Sequence, residues 1–147
     1  MNDVNRAMAM AAEAHSQQVD KLGAPYIGHP ERVAANFDPE RELEESCVAW
    51  LHDVLEETPV TAADLAEAGF SPEVVEAIVL LTRRPEVPAA LYYEKIRDNP
   101  IARAVKLADI ADNTATWRTA QLEPETRDRL AAKYAEARVA LGAEEGV

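Results

Sequence analysis

The residues best equipped for chemistry are few, and they fall in three short stretches. In the first, residues 51–58 (LHDVLEET), His52 stands beside Asp53, and Glu56 and Glu57 follow one helical turn later. Such a set offers imidazole nitrogen and carboxylate oxygen to a single ion. An isolated His-Asp pair is more often the solvated end of a helix, so this stretch alone leaves both readings open. The second stretch is residues 105–113 (VKLADIADN). Ile101, Val105 and Ala108 mark an apolar stripe there, and Asp109, four residues after Val105, falls on or beside the buried face. A carboxylate in that place needs a cation or a hydrogen-bond donor: a metal, an arginine, or the start of a neighbouring helix. The third is His29, just before Pro30 at the entry to a helix, where a cap, a packed ring and a ligand are all open readings. The chain has three histidines, and two of them lie in these stretches. That conjunction carries more weight than any one stretch.

The elements that must position these groups read as helices joined by short turns. Pro39, Pro72, Pro100 and Pro124 each follow a residue suited to start a helix, and proline is tolerated in a first turn. Thr61 with Asp64 resembles a capping box, while Gly69 and Gly142 stand where helices commonly end in a left-handed residue. Leu43, Cys47, Trp50, Leu51, Val54 and Leu55 recur at helical spacing, as do Val74, Val75, Ile78, Val79 and Leu81. No segment alternates as a strand does. The expectation is an all-α bundle of about six or seven helices with no sheet, including 2–18, 30–37, 39–56, 72–82, 88–97, 100–112 and 124–141. Residues 19–28, with Gly23, Pro25 and Gly28, are expected to form an ordered loop. The acidic stretch 143–147 reads as a frayed end.

At 147 residues, the expected organisation is one domain over 1–147, able to bury about two-thirds of its unfolded surface in one core. The composition, 48% apolar and 29% charged, is too apolar for a disordered chain. A net charge of −12 argues against a nucleic-acid polymer or an anionic membrane as partner, since both need a broad basic face. A small anion is still allowed, because one metal and a few clustered cations suffice locally. Cys47 has no disulfide partner and no apolar run reaches membrane-spanning length, which suits a cytoplasmic location.

Residues 14–30 (AHSQQVDKLGAPYIGHP) resemble the AHxGQxRKxGxPYIxHP signature of the RelA/SpoT-type HD hydrolases, including the small stand-alone alarmone hydrolases. Residues 51–58 resemble their LHDxxEDT and residues 105–113 their VKLADRxHN. The three motifs keep the family order across most of the chain. The resemblance implies a helical HD fold in which His29, His52, Asp53 and Asp109 bind one divalent metal, manganese in most of this family, with iron or cobalt as alternatives. Two imidazoles and two carboxylates also suit a catalytic Mn²⁺ or Fe²⁺ ion better than a cysteine-rich structural zinc site. Glu56 and Glu57 match the family's acidic pair for handling the attacking water, and Asn113 and Lys21 match its substrate contacts.

Departures bear on the substrate. Asp20 stands where the family has an arginine that contacts the guanine nucleotide, so an anion replaces a cation beside the expected pocket and the base preference is open. Gln17 replaces a glycine, Glu57 an aspartate, and Ile110 and Asp112 replace the Arg and His of the third motif. The expected activity is removal of the 3′-pyrophosphate from (p)ppGpp or a related purine nucleotide. An HD nucleotide 5′-phosphatase and a non-catalytic nucleotide-binding domain are the alternatives. Tyr26 and Tyr92 are candidates to stack on a base, Trp50 and Trp117 to join the core, and His15 to pack or hydrogen-bond. Cys47 reads as a small core residue. Oligomeric state is open.

Overall fold

The computed structural model describes residues 2–143, so the acidic end from residue 144 onward lies outside the described residues. The fold is all-α. Its helices are α1 (Asp3–Ala14), α2 (Gly28–Ala34), α3 (Leu43–Leu51), α4 (Val54–Glu57), α5 (Ala62–Glu67), α6 (Pro72–Leu81), α7 (Ala89–Arg97), α8 (Pro100–Asn113), α9 (Thr116–Thr119) and α10 (Pro124–Ala140). Among the described residues, the only β-type pairing is an isolated bridge between Val19 and Pro25.

Local chemistry explains most starts and stops. Asn2, Ser71 and Asn99 each accept a hydrogen bond from the backbone N–H three residues on, and Thr61 and Asp64 form the reciprocal capping box. Gly69 and Gly142 follow α5 and α10 with φ of +95° and +77°, a region that side chains disfavour.

The helices are shorter and more numerous than periodicity predicts, ten among the described residues. The expected helix 39–56 is divided. Asp38 Oδ1 accepts from the N–H of Glu40 at 2.9 Å, winding residues 38–42 into a turn, so α3 begins only at Leu43. At its other end the His52 ring bonds the Ala49 carbonyl, and the chain turns at His52 and Asp53 before resuming as α4. A side chain that takes a backbone carbonyl competes with the helical ladder, and hydrophobic spacing cannot reveal that. The 19–28 loop is ordered as expected: Asp20 Oδ1 accepts from Leu22 N (2.8 Å) and Ala24 N (3.0 Å), and Gly23 adopts φ +84°.

Helix α3 lies at the centre, packed against α1, α2, α6 and α8, while α8 also packs on α2, α6 and α7. Fully buried Val33, Val48, Leu51, Ile78, Val105 and Ile110 fill the space between them. Close packing of this kind transmits position rigidly. It fixes the junction where the C-terminal end of α3, the start of α2 and the middle of α8 approach each other. Trp117, expected in the core, is instead 54% exposed on the short α9, its ring beneath the Arg32 guanidinium at 5.0 Å. No helix among the described residues is long and apolar enough to cross a membrane.

Candidate metal centre

His29 sits in the first turn of α2, His52 and Asp53 occupy the break after α3, and Asp109 lies on the inner face of α8. The two imidazoles and a carboxylate oxygen of Asp53 lie within 4.8 Å of one another. Asp109 Oδ1 joins them, 2.8 Å from His29 Nε2 and 3.5 Å from His52 Nε2, and Asp53 Oδ2 lies 3.2 Å from His52 Nε2. The four groups, drawn from three stretches distant in sequence, therefore converge on one point.

Both imidazoles present the same nitrogen to that point. His52 Nδ1 donates to the Ala49 carbonyl at 2.7 Å, and His29 Nδ1 donates to Asp112 Oδ2 at 2.7 Å. The hydrogen bond on one ring nitrogen leaves the other as the coordinating atom. His52 Nε2 is buried without a hydrogen-bond partner of good geometry. A buried polar atom of this kind is costly, and one facing two carboxylates fits a cation seat. Tyr26 adds a hydrogen bond from its hydroxyl to Asp53 Oδ2 at 2.7 Å, holding that carboxylate in place.

The charges around the centre are those of a cation seat, in which His52 would exchange its ring proton for the ion. Burial alone would push the His52 imidazole down, but the carboxylates of Asp53 and Asp109 outweigh it and hold the ring well above the usual histidine value. Asp109 moves oppositely: burial would raise its carboxyl, yet Lys106, whose Nζ is 3.1 Å from Oδ2, and the two imidazoles drive it well below the usual carboxylate value. The acids are thus ionised over the ordinary pH range, as cation binding requires.

All eleven residues singled out from the sequence line one cavity of about 440 Å³: the four above with Glu56, Glu57, Asp20, Lys21, Tyr26, Tyr92 and Asn113. Their engagements differ. Glu56 Oε1 accepts from the Arg83 backbone N–H at 2.6 Å, and Glu57 Oε2 accepts from Gln18 Nε2 at 3.3 Å. Asn113 donates to Asp109 Oδ1 at 3.1 Å. The Tyr92 ring is 6% exposed and its hydroxyl donates to the Leu81 carbonyl, so little of its face is open to a base. The Tyr26 ring packs against His15, 4.8 Å between centroids. His15 is itself buried and bonded through Nδ1 to Gln18. Sequence reasoning missed Lys133 and Tyr134 of α10, which also line the cavity, and it missed Asp112 as the partner of His29. A lysine on a charged helix carries no signal that it faces inward, whereas the spacing of Asp112 three residues after Asp109 could have suggested a shared face.

No protein-family model matches the chain. It is 33% identical over 137 residues to the bifunctional (p)ppGpp synthase/hydrolase SpoT of Escherichia coli (strain K12), a match covering 87% of this chain and 20% of that protein. To the guanosine-3′,5′-bis(diphosphate) 3′-pyrophosphohydrolase of Aquifex aeolicus it is 31% identical over 123 residues, 78% of this chain and 18% of the relative. The chain thus spans about a fifth of the length of these curated relatives. A solved structure of a metazoan ortholog of SpoT, described as hydrolysing ppGpp and acting in starvation responses, matches with a TM-score of 0.77 at 23% identity, over 96% of this chain and 86% of the other. By sequence over 87% of its length and by helical fold over 96%, this chain is an HD-domain relative of the RelA/SpoT-type proteins.

Proposed function

We propose that the chain is a one-domain, cytoplasmic, metal-dependent nucleotide phosphohydrolase that removes the 3′-pyrophosphate from (p)ppGpp or a related purine alarmone. The observation that supports this most directly is the convergence of His29, His52, Asp53 and Asp109 in the lining of a cavity that also holds three further acids and three lysines. The names of the relatives supply the substrate class. A mixed nitrogen and oxygen donor set fits Mn²⁺, with Fe²⁺ or Co²⁺ as substitutes. When bound, such an ion lowers the pKa of water from ~16 toward ~7 and draws charge from a phosphoryl oxygen.

The chain's own residues do the rest. Glu56, fixed by the Arg83 N–H, takes a proton from the attacking water, and Glu57 helps orient it. Water adds to the phosphorus next to the 3′ oxygen, the bond between that oxygen and phosphorus breaks, the 3′ oxygen takes up a proton to become a hydroxyl, and pyrophosphate is released. Lys21, Lys106 and Lys133 share the cavity and neutralise the phosphates. Partial loss of hydration, then the nearby Lys106 and Lys21, push the Lys133 ammonium down, a like-charge strain that a polyanion would relieve. Replacing Lys133 by Gln is expected to raise KM about tenfold with kcat little changed, the pattern of lost ground-state binding, readable in steady-state kinetics. Asp20 spends one oxygen on its own loop, so the base preference is a separate question for the same assay.

The deciding experiment is a nucleotide panel assayed in Mn²⁺, after chelation, and after Mn²⁺ is restored. Pyrophosphate released from a 3′-diphosphate nucleotide only when the metal is present supports the proposal. Orthophosphate release would assign a 5′-phosphatase instead. Binding without turnover on every nucleotide would reduce the chain to a recognition module.

A further inference from the structure

Asp112 stands where the motif it resembles has a histidine, and it is one of the few buried carboxylates in the molecule. Its Oδ2 takes the His29 Nδ1 proton at 2.7 Å and also accepts from Arg118 Nη1 at 2.9 Å, while Oδ1 accepts from Arg32 Nε at 2.8 Å. Both oxygens are therefore engaged, by three donors from two helices. Arg32 comes from α2, one turn after His29 itself, and Arg118 comes from α9. The exposed Trp117 ring lies against the Arg32 guanidinium, which gives the short α9 a purpose that its apolar content does not.

The two histidines of the centre are held differently. His52 leans on a neutral backbone carbonyl, His29 on a full negative charge that is held by two guanidiniums. Helix α8 thereby places one carboxylate on each nitrogen of the His29 ring, Asp109 at Nε2 and Asp112 at Nδ1. A carboxylate behind an imidazole fixes the ring's orientation and tautomer and makes its far nitrogen a better donor to a cation. Two arginines on that carboxylate keep it from swinging onto the ion or into solvent.

We propose that Asp112, clamped by Arg32 and Arg118, is a positioning residue that sets the divalent-metal affinity of the centre through His29. The inference rests on the metal reading of the site, and its test separates the two. Mn²⁺ is titrated into metal-free protein with free Mn²⁺ followed by its paramagnetic resonance signal, alongside helicity and melting of the metal-free form. Failure of the unaltered protein to bind Mn²⁺ would overturn the metal reading and this inference with it. Given binding, Asp112→Asn is expected to weaken it about 10- to 100-fold while KM for nucleotide at saturating Mn²⁺ stays near its original value. A lower melting temperature with unchanged Mn²⁺ affinity would make Asp112 a structural residue only and sink the proposal. Should Asp112→Asn not fold, Arg32→Gln decides, since that side chain is one-third exposed and its loss leaves the core intact. Weakening of about threefold supports the clamp, and an unchanged affinity overturns it.

Discussion

Asp109→Asn is expected to lower the rate of Mn²⁺-supported hydrolysis at least ~10³-fold, a barrier increase of about 4 kcal/mol. Asp109 engages four of the groups gathered at the centre. Its carboxylate takes His29 Nε2, Lys106 Nζ and Asn113 Nδ2 within 3.1 Å and lies 3.5 Å from His52 Nε2. Asparagine keeps the shape but removes the charge, and its amide would point a donor at groups that are themselves donors. The Lys106 ammonium, held high by Asp109 against the burial that would lower it, loses its ion-pair partner. Breaking a buried pair from one side costs about 3 kcal/mol or more, so the metal-free variant should also melt earlier than the unaltered protein. Initial rates, Mn²⁺ titration and thermal melts followed by circular dichroism check the three consequences together. Full activity in the variant would remove Asp109 from the centre and with it the present account of the cavity.

What the sequence made legible depended on how scarce each residue type is. With three histidines in the chain, finding His29 and His52 in two of the three chemical stretches was informative. The apolar stripe beside Asp109 indicates a buried face, and the carboxylate is indeed buried. Helix limits were harder, because the breaks at 38–42 and at His52–Asp53 come from side chains bonding the backbone, Asp38 in one case and His52 in the other. Periodicity continues through such a break undisturbed. The same blindness hid α10's contribution. A lysine among charged residues on an exposed helix reads as solvent-facing, and only packing of α10 on α7 turns Lys133 toward the cavity. Trp117 erred in the opposite sense, since a large aromatic at helical spacing suggests core, yet α9 is four residues long and lies at the surface. Asp20 and Asp112 were both visible as exchanges of charge in the motifs. Their consequences lay in partners far off in sequence or in loop geometry: Asp112 binds His29 and Arg32 across 80 residues or more.

The second large effect is expected at Glu56, and it should separate chemistry from metal binding. Glu56→Gln is predicted to lower kcat by about 10²- to 10⁴-fold, the usual contribution of a positioned general base, while Mn²⁺ affinity stays unchanged. Glu56 lies one turn beyond Asp53, and its Oε1 is fixed by the Arg83 N–H rather than by any of the four converging groups. Glutamine can keep that hydrogen bond but cannot accept a proton. The pH profile supplies an independent check. Partial desolvation, with Asp53 and Glu57 adding to it, raises the Glu56 carboxyl above its ordinary value, and the Arg83 hydrogen bond opposes this only in part. The group must be ionised to act as a base, so activity is present above its pKa and lost as pH falls through it. That acid limb should sit higher than for an unperturbed glutamate and should vanish from the residual activity of the Gln variant. The same raised pKa means that ionised Glu56 is held at a cost to the fold above its unfolded pKa. Removing the charge should therefore leave the melting temperature equal or slightly higher at neutral pH. A variant that loses turnover without losing stability or metal would mark Glu56 as a group kept for reaction rather than for folding. A variant whose kcat and acid limb match the unaltered protein would assign the proton transfer elsewhere, with Glu57 as the next group to replace.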